Sequence, residues 1–326
     1  MSEPLLSIRD LEVAILTGPR QQLPVIQDMG FDLHAGETLG IVGESGSGKS
    51  LLALSIIGLL PDVAVPSGSI ALYGEDLLKL DDRRLCKIRG RRIGMIFQEP
   101  LTTLNPAITA GDQIAEGLVW HNGMSWSKAR EEAVRLLDQV RIPNAAARAK
   151  TYPHEMSGGQ RQRVGIAMAL AQKPELMIAD EPTTALDVTV QAEVLDILDD
   201  LRREYGMALI LVSHDLGVIA RMCERTIVMY AGRRMEEGAT RDVLTSPANP
   251  YTRALLSSMP RRVADAGRLP TIPGNVPSLG NLPEGCVFSD RCPERFAACT
   301  SREPAWVVGH GRGVRCLKAE GMGAPQ

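Results

Sequence analysis

The segment Gly43–Ser50, with the sequence GESGSGKS, is the feature that most constrains the fold of this 326-residue chain. It follows Thr38–Val42, a short apolar run typical of a buried strand, and it precedes an apolar stretch at Leu51–Leu60. A glycine-rich loop between a strand and a helix turns its backbone N–H groups toward phosphate. Lys49 is then expected to reach the β and γ phosphates and Ser50 to hold Mg²⁺, with the cradle formed by Gly43, Glu44, Ser45, Gly46, Ser47 and Gly48.

Two further apolar runs predict neighbouring strands of a parallel sheet. Leu176–Ala179 is followed by Asp180 and Glu181, and Ala208–Val212 is followed by His214. Carboxylates at the end of such a strand lie at the mouth of the sheet, where ligands bind. We therefore expect Asp180 to hold Mg²⁺ and Glu181 to act as the general base on the attacking water.

The sequence also predicts the helices that lie between these strands. Ser127–Val140 places its apolar residues on one face, and Val190–Tyr205 repeats the pattern and ends at Gly206, a residue that terminates helices. A third helix is expected to begin at Ser157 and to run to about Gln172, since Ser157 and the glycines after it can cap a helix and present an anion site.

The segment Met156–Gln160, with the sequence MSGGQ, resembles the signature of ABC ATPases. The resemblance implies an α/β fold, with a RecA-like parallel sheet, an antiparallel β subdomain and a helical subdomain. It also implies a head-to-tail dimer that encloses two ATP molecules and their Mg²⁺ ions. In that dimer each signature completes the partner's active centre through Ser157, Gly158, Gly159 and Gln160.

Other family elements occur in the expected order. By resemblance, Gln98 senses Mg²⁺ and the attacking water, Asp187 in Ala185–Asp187 lies in the loop through which the two subunits communicate, and His214 contacts the γ-phosphate. The sequence departs from the family pattern at Ile15, where many relatives carry an aromatic residue that stacks on adenine. It also has Met156 where the signature usually has leucine, which is a volume-conserving change.

Three segments resemble the ATPases of oligopeptide, dipeptide and nickel importers: Glu99–Pro106, Tyr152–Glu155 and Asn249–Leu256, the last with Asn249 where relatives usually have histidine. The resemblance implies an ATPase that powers import of di- or oligopeptides through a separate permease, with nickel or glutathione-type cargo as alternatives. It also implies two permease subunits, an extracytoplasmic solute-binding protein and a second ATPase subunit. A heterodimer of ATPases is preferred to a homodimer.

Composition and charge argue against other classes of protein. The net charge of −3 and the pI near 6.0 lack the basic bias of nucleic-acid binders, which disfavours a non-transport ABC protein of DNA repair or translation. The signature and His214 disfavour a small-molecule kinase. The amino terminus lacks the pattern of a secretory signal, and no apolar stretch reaches the roughly 18 residues that span a membrane. We therefore expect a protein that stays in the cytosol, and the resemblance to importer ATPases implies a peripheral position on the cytoplasmic face of the inner membrane.

Four cysteines crowd the end of the chain: Cys286, Cys292, Cys299 and Cys316, with gaps of five, six and sixteen residues. These gaps differ from the usual spacing of structural zinc sites and of ferredoxins, so spacing alone decides little. The Cys292-Pro293 step and the resemblance to peptide-importer ATPases, some of which carry a [4Fe-4S] cluster in this region, favour such a cluster. Zinc is the alternative, and free thiols or a redox disulfide remain open.

The amino-acid composition of the chain changes beyond about Gly238, where prolines and glycines become frequent. We predict an ATPase domain over 1–238, with its helical subdomain at about 101–172, and a small loop-rich C-terminal extension over 239–326.

Overall fold

A computed structural model of the chain describes residues 3–18, 21–98, 103–184, 186–259, 271–278, 280–309 and 311–320. Contacts divide the chain into two compact units. The first unit is built mainly of Lys79–Val212, and the second of Leu6–Asp32, Leu39–Leu78 and Ser213–Gln326. Each unit is described by itself below.

The described residues contain twelve strands, numbered β1 to β12 in chain order. Their bounds are Leu6–Gly18, Gln21–Leu33, Thr38–Val42, Ala64–Leu72, Glu75–Asp76, Ile93–Ile96, Leu176–Asp180, Ala208–Val212, Arg225–Tyr230, Arg233–Ala239, Trp306–Gly309 and Arg312–Arg315.

The same residues contain twelve α-helices, numbered α1 to α12. Their bounds are Lys49–Ile56, Asp82–Ile88, Ala110–Asn122, Trp126–Gln139, Ala145–Arg148, Gly158–Leu170, Val188–Tyr205, Leu216–Met222, Thr240–Thr245, Pro250–Ser257, Ala298–Ser301 and Leu317–Glu320. Short 3₁₀ turns occur at Leu77–Lys79, Pro153–Glu155 and Ser289–Arg291. In this part of the chain no helix is long and apolar enough to cross a membrane.

Three parallel strands form the core of the first unit. β7 pairs with β6 on one side and with β8 on the other, and all residues of β7 and β8 are buried. A strand buried on both faces reads as a continuous apolar run, which is why these strands could be predicted. The prediction for β8 is confirmed, and β7 extends one residue further than predicted, to Asp180.

The helices of the first unit follow the predicted amphipathic patterns. α4 begins one residue before the predicted Ser127 and buries Ala129, Ala133, Leu136 and Leu137 on one face. α7 ends at Tyr205, as predicted, because Gly206 adopts a left-handed conformation with φ of 64° and caps the helix. α6 begins after Ser157, as predicted, and ends at Leu170, two residues before the predicted Gln172.

The second unit contains two sets of strands. β2, β1, β4 and β5 form an antiparallel sheet in that order. β3, predicted correctly at Thr38–Val42, pairs in parallel with β9, which pairs with β10 in antiparallel orientation. The mixture of parallel and antiparallel strands with helices confirms the predicted α/β fold class.

The C-terminal region of the second unit contributes a hairpin that its glycine-rich sequence did not indicate. β11 and β12 pair with each other, and β12 pairs with β10 through Glu236 and Val314. Gly313 lies beneath the Trp306 ring, where an added Cβ would come within 2.0 Å of the ring atom Cζ2. A glycine that obscures the alternating pattern is therefore what allows the two strands to pair. The domain boundary at 238/239 stays a prediction.

Candidate functional site

The predicted phosphate loop lies between β3 and α1 in the second unit. Gly43 passes so close to β9 that an added Cβ would lie 2.2 Å from the Met229 carbonyl oxygen. Gly48 precedes α1 in a left-handed conformation with φ of 96°, which favours glycine. The sequence therefore has glycine where the backbone requires it. The loop ends at the amino terminus of α1, and backbone N–H groups at such a position suit phosphate.

Lys49 lies over this loop. Its Nζ donates to the carbonyl oxygens of Gly43 and Glu44 at 2.9 and 3.0 Å, and the side chain is buried. Ser47 is also buried, and Ser50 is half-buried in the first turn of α1. The ammonium group is thus held within the loop, and its role in binding phosphate stays a prediction.

His214 also belongs to the second unit. Its neighbour Ser213 donates its backbone N–H to the carbonyl oxygen of Ile41 in β3 at 3.1 Å, and the His214 side chain is exposed. Asp215 then begins α8 by accepting from the N–H groups of Gly217 and Val218. The histidine therefore lies on a short segment fixed at both ends.

Glu181 follows β7 in the first unit and is held by two side chains. Thr184 Oγ1 donates to Glu181 Oε2 at 2.8 Å, and Gln98 Nε2 donates to the same oxygen at 3.3 Å. Its backbone is left-handed, with φ of 47°, and its N–H donates to the Val212 carbonyl oxygen at 2.9 Å. Such a conformation is uncommon for a residue other than glycine and occurs often at functional sites.

The structure thus brings together the predicted base Glu181 and the predicted sensor Gln98. Asp180 is the last residue of β7 and is 4% exposed, so its carboxylate lies at the buried end of the strand. Thr184 was missed, because a threonine in a turn carries no distinctive sequence signal.

The predicted signature begins helix α6. Ser157 caps the helix in a reciprocal capping box: Gln160 N donates to Ser157 Oγ at 3.3 Å, and Ser157 N donates to Gln160 Oε1 at 3.1 Å. Ser157 and Gly158 are exposed, and a Cβ on Gly159 would lie 2.6 Å from Val190 Cγ1. The helix therefore presents an exposed N-terminus, which favours an anion.

Asp187 caps helix α7, since its Oδ1 accepts from Val190 N at 2.9 Å. Ala185 of the predicted communication loop lies outside the described residues, as do residues 99–102 of the importer-like segment that follows Gln98.

The four C-terminal cysteines line one small cavity of the second unit, together with the side chains of Arg315 and Lys318. The Cys286 N–H donates to the Cys299 carbonyl oxygen at 2.8 Å. Burial raises the pKa of Cys286 to about 11 and also raises the pKa of Cys292. The structure thus brings together the four thiols that the sequence analysis selected.

The thiols are not arranged as the ligands of an ion, however. Among the described residues, no group of three or more histidine, cysteine, aspartate or glutamate side chains is arranged to hold a metal. The structure therefore does not support the predicted [4Fe-4S] cluster, because gathering four thiols around one cavity falls short of placing their sulfur atoms around one ion.

Comparisons with protein families divide the chain into two matches. The family described as "ABC transporter" matches residues 26–184, and the family described as "Oligopeptide/dipeptide transporter, C-terminal region" matches residues 235–299.

Individual relatives extend over nearly the whole chain. The oligopeptide transport ATP-binding protein OppD of Salmonella typhimurium is 49% identical over 96% of this chain and 93% of its own length. A putative peptide import ATP-binding protein of Brucella abortus is 48% identical over 96% of this chain and 94% of its own length.

Among solved structures, the ATP-binding cassette MJ0796 is similar to this chain. Its dimeric post-hydrolysis structure, bound to ADP and Pi, superposes with a TM-score of 0.65 and is 31% identical over 72% of this chain and 99% of the cassette. The fold and the motifs thus define an ATP-hydrolysing cassette. The chain belongs to the ABC transporter family, in its oligopeptide/dipeptide branch.

Proposed function

We propose that this chain hydrolyses ATP to power the import of di- or oligopeptides through a separate transmembrane permease. The observation that carries the proposal is the hydrogen-bonded Glu181 at the end of β7, in a chain whose C-terminal region matches peptide transporters. Relatives named for peptide import at 48–49% identity support the choice of cargo.

The phosphate loop binds the nucleotide in this proposal. Lys49 neutralises the β and γ phosphates, and the loop N–H groups bind their oxygens. By the family resemblance, oxygen atoms of Ser50, Gln98 and Asp180 would hold Mg²⁺, which prefers oxygen ligands. His214 contacts the γ-phosphate.

Glu181 is the proposed general base. A carboxylate accepts the proton of the attacking water, and the hydrogen bonds from Thr184 and Gln98 fix its orientation. Bound Mg²⁺ would supply positive charge to the phosphate oxygens, and Glu181 would act on the attacking water.

The exposed signature supports a proposal about assembly. Ser157 and Gly158 are exposed at the N-terminus of α6, so they are available to a nucleotide bound by a second ATPase. We assign this role to residues 157–160, with Asp187 in the adjoining contact. A similar but distinct second ATPase is preferred to a second copy of this chain.

The permease places the chain at the membrane. Two permease subunits and an extracytoplasmic solute-binding protein complete the proposed transporter, with this chain peripheral on the cytoplasmic face. The segment from Gln98 to Asn105 is proposed to lie near the groove that receives a permease helix, and cysteine pairs between residues 103–105 and permease loops would test this placement.

Uptake into proteoliposomes tests the function. The transporter is reconstituted with candidate permease and solute-binding subunits from the same organism, and labelled peptides of two to five residues are compared with nickel and glutathione. We expect ATP-dependent peptide uptake that Glu181→Gln abolishes. Uptake of nickel or glutathione without uptake of peptide would show that the peptide assignment is wrong. Copurification of the chain with nucleic acid and without a permease would favour a non-transport role.

We also propose a metal centre at Cys286, Cys292, Cys299 and Cys316. Four thiols around one cavity provide the donors of an iron–sulfur cluster or of zinc, and Arg315 and Lys318 line the same cavity. Binding would require the sulfur atoms to converge and the thiols to lose their protons.

Metal analysis after anaerobic purification decides between the candidates. Four irons with four sulfides would support a [4Fe-4S] cluster, and one zinc without iron would support the alternative. A metal-free protein under anaerobic conditions would leave free thiols or a redox disulfide.

A further inference from the structure

The C-terminal region of the second unit contacts the phosphate loop at one residue, Glu44. The Glu44 N–H donates to the Tyr251 hydroxyl at 3.0 Å. Arg291 Nη1 donates to both oxygens of the Glu44 carboxylate, at 2.9 and 3.2 Å. The loop is therefore held through its backbone and through its side chain by residues more than two hundred positions away.

Arg291 is itself fixed in place. Its side chain is 7% exposed, and its Nε and Nη2 donate to the carbonyl oxygens of Pro273 and Ile272 at 2.8 and 3.4 Å. Nη1 also donates to the Tyr230 hydroxyl at 3.2 Å. With each of its three nitrogens hydrogen-bonded, the guanidinium is presented to Glu44 in one orientation.

An aromatic cluster supports these contacts. The rings of Tyr230, Tyr251 and Phe288 lie with centroids 4.6, 5.3 and 5.2 Å apart in tilted and edge-on arrangements. Tyr230 and Tyr251 are fully buried, and burial raises the pKa of both hydroxyls. The Tyr251 hydroxyl is thus neutral and rigidly placed where the Glu44 N–H points.

Glu44 connects these residues to Lys49. Its carbonyl oxygen accepts from Lys49 Nζ at 3.0 Å and from Ser47 N at 3.2 Å, so a shift of Glu44 moves the groups that face the phosphates. Its carboxylate would also repel a triphosphate if it were uncompensated, because screening is weak for partly buried charges.

We propose that Arg291 and Tyr251 position the phosphate loop for the nucleotide, Arg291 also neutralising the charge of Glu44. The C-terminal region thereby sets the affinity of the ATPase for its nucleotide. The proposal rests on the nucleotide site proposed above. Arg291 is a positioning residue, since it acts on the nucleotide through Glu44.

The Kd of the full-length chain for MgADP, measured by calorimetry, tests this role. We expect Arg291→Gln to weaken binding about tenfold, which corresponds to about 1.4 kcal/mol. The variant Arg291→Lys keeps the charge but loses the planar guanidinium whose Nε and Nη2 donate to the Pro273 and Ile272 carbonyl oxygens, so it should recover part of the loss. Tyr251→Phe removes only the hydroxyl acceptor and should weaken binding by about threefold, a smaller loss than for a charged contact.

The double variant Glu44→Gln with Arg291→Gln separates positioning from simple folding effects. We expect the double variant to bind MgADP no more weakly than Arg291→Gln does. The Glu44 carboxylate that Arg291→Gln leaves uncompensated is absent from the double variant. In steady-state assays of the assembled transporter, Arg291→Gln should raise KM for ATP while kcat stays near wild type.

Arg253→Gln is the matched control. Arg253 makes an ion pair with Glu294 in the same region, at 2.6 Å and more exposed than that of Arg291, and contacts no residue of the loop among the described contacts. It should leave the Kd within about twofold of wild type.

An unchanged Kd in Arg291→Gln, or weaker binding by the double variant than by Arg291→Gln, would overturn the inference. Lys49→Ala distinguishes the two proposals. If Lys49→Ala leaves binding intact, the nucleotide site itself is wrong; if it abolishes binding while Arg291→Gln does not alter it, only the positioning role is wrong. A thermal unfolding curve for each variant identifies any that fails to fold, and Tyr251→Phe and Arg291→Lys then carry the test.

Discussion

Replacing Glu181 by glutamine should separate catalysis from nucleotide binding in this ATPase. Glutamine has nearly the same size, and its Oε1 can still accept the hydrogen bond that Thr184 donates at 2.8 Å. The left-handed backbone at this position, with φ of 47°, is no harder for glutamine than for glutamate. The substitution therefore removes the negative charge and the basicity of the side chain while it leaves the ground state nearly unchanged.

The size of the effect follows from what is removed. A positioned general base contributes about 10²–10⁴-fold to a rate, or about 3–5 kcal/mol of barrier. The Kd for MgATP should stay within about threefold of wild type, since Lys49 and the loop N–H groups, which bind the phosphates in the proposed function, are unchanged. ATP-bound dimers should then accumulate, because binding persists while hydrolysis is slow.

The assay is single-turnover hydrolysis of ATP by the assembled transporter, with the Kd measured in parallel. Glu181→Asp is an informative companion, since it keeps the charge but withdraws the carboxylate by one methylene. Its hydrolysis rate should lie between that of the wild type and that of Glu181→Gln. Thr184→Val tests only the orientation of the Glu181 carboxylate, and it should lower the hydrolysis rate less than Glu181→Gln does. Hydrolysis by Glu181→Gln at more than about a tenth of the wild-type rate would refute the assignment, as would a Kd that rises in proportion to the loss in rate.

Three further outcomes are expected. Lys49→Ala should raise the Kd for MgATP at least about tenfold, measured by calorimetry, because a charge-assisted contact to phosphate is lost; tight binding would contradict its role. Ser157→Ala should lower the free energy of unfolding by about 1 kcal/mol in urea titrations, since Ser157 Oγ caps α6; an unchanged midpoint would show that the cap does not stabilise the helix. In metal-free protein at pH 8, iodoacetamide should modify exposed Cys86 well before Cys286, whose pKa of about 11 keeps it protonated, as mass spectrometry of peptides can establish; equal rates would contradict the burial of Cys286.

The buried strands and the phosphate loop could be predicted from the sequence because their signals are local. β3 and β8 are continuous apolar runs, and Gly43 and Gly48 stand where the backbone leaves no room for a side chain or turns left-handed. The capping box formed by Ser157 and Gln160 likewise depends on residues only three positions apart. Local chemistry of this kind needs no knowledge of the rest of the fold.

The hairpin of β11 and β12 could not be predicted in the same way. Gly309, Gly311 and Gly313 interrupt the alternation of apolar and polar residues by which strands are recognised. The strand β12 is stabilised by pairing with β10, more than seventy residues earlier, and by the Trp306 ring over Gly313. Its stability comes from tertiary contacts, which a single sequence does not display.

The contacts of Glu44 illustrate the same limit at the functional site. The phosphate-loop pattern leaves this position unspecified, so a glutamate there carries no meaning of its own in the sequence. Its carboxylate has a partner, Arg291, that lies 247 residues further along the chain and directly before Cys292. A charge beside bound phosphates weakens binding unless it is neutralised, so an acidic residue in this loop requires a cation nearby. The fold supplies that cation from the C-terminal region, which makes the extension a part of the nucleotide site rather than an appendage to it.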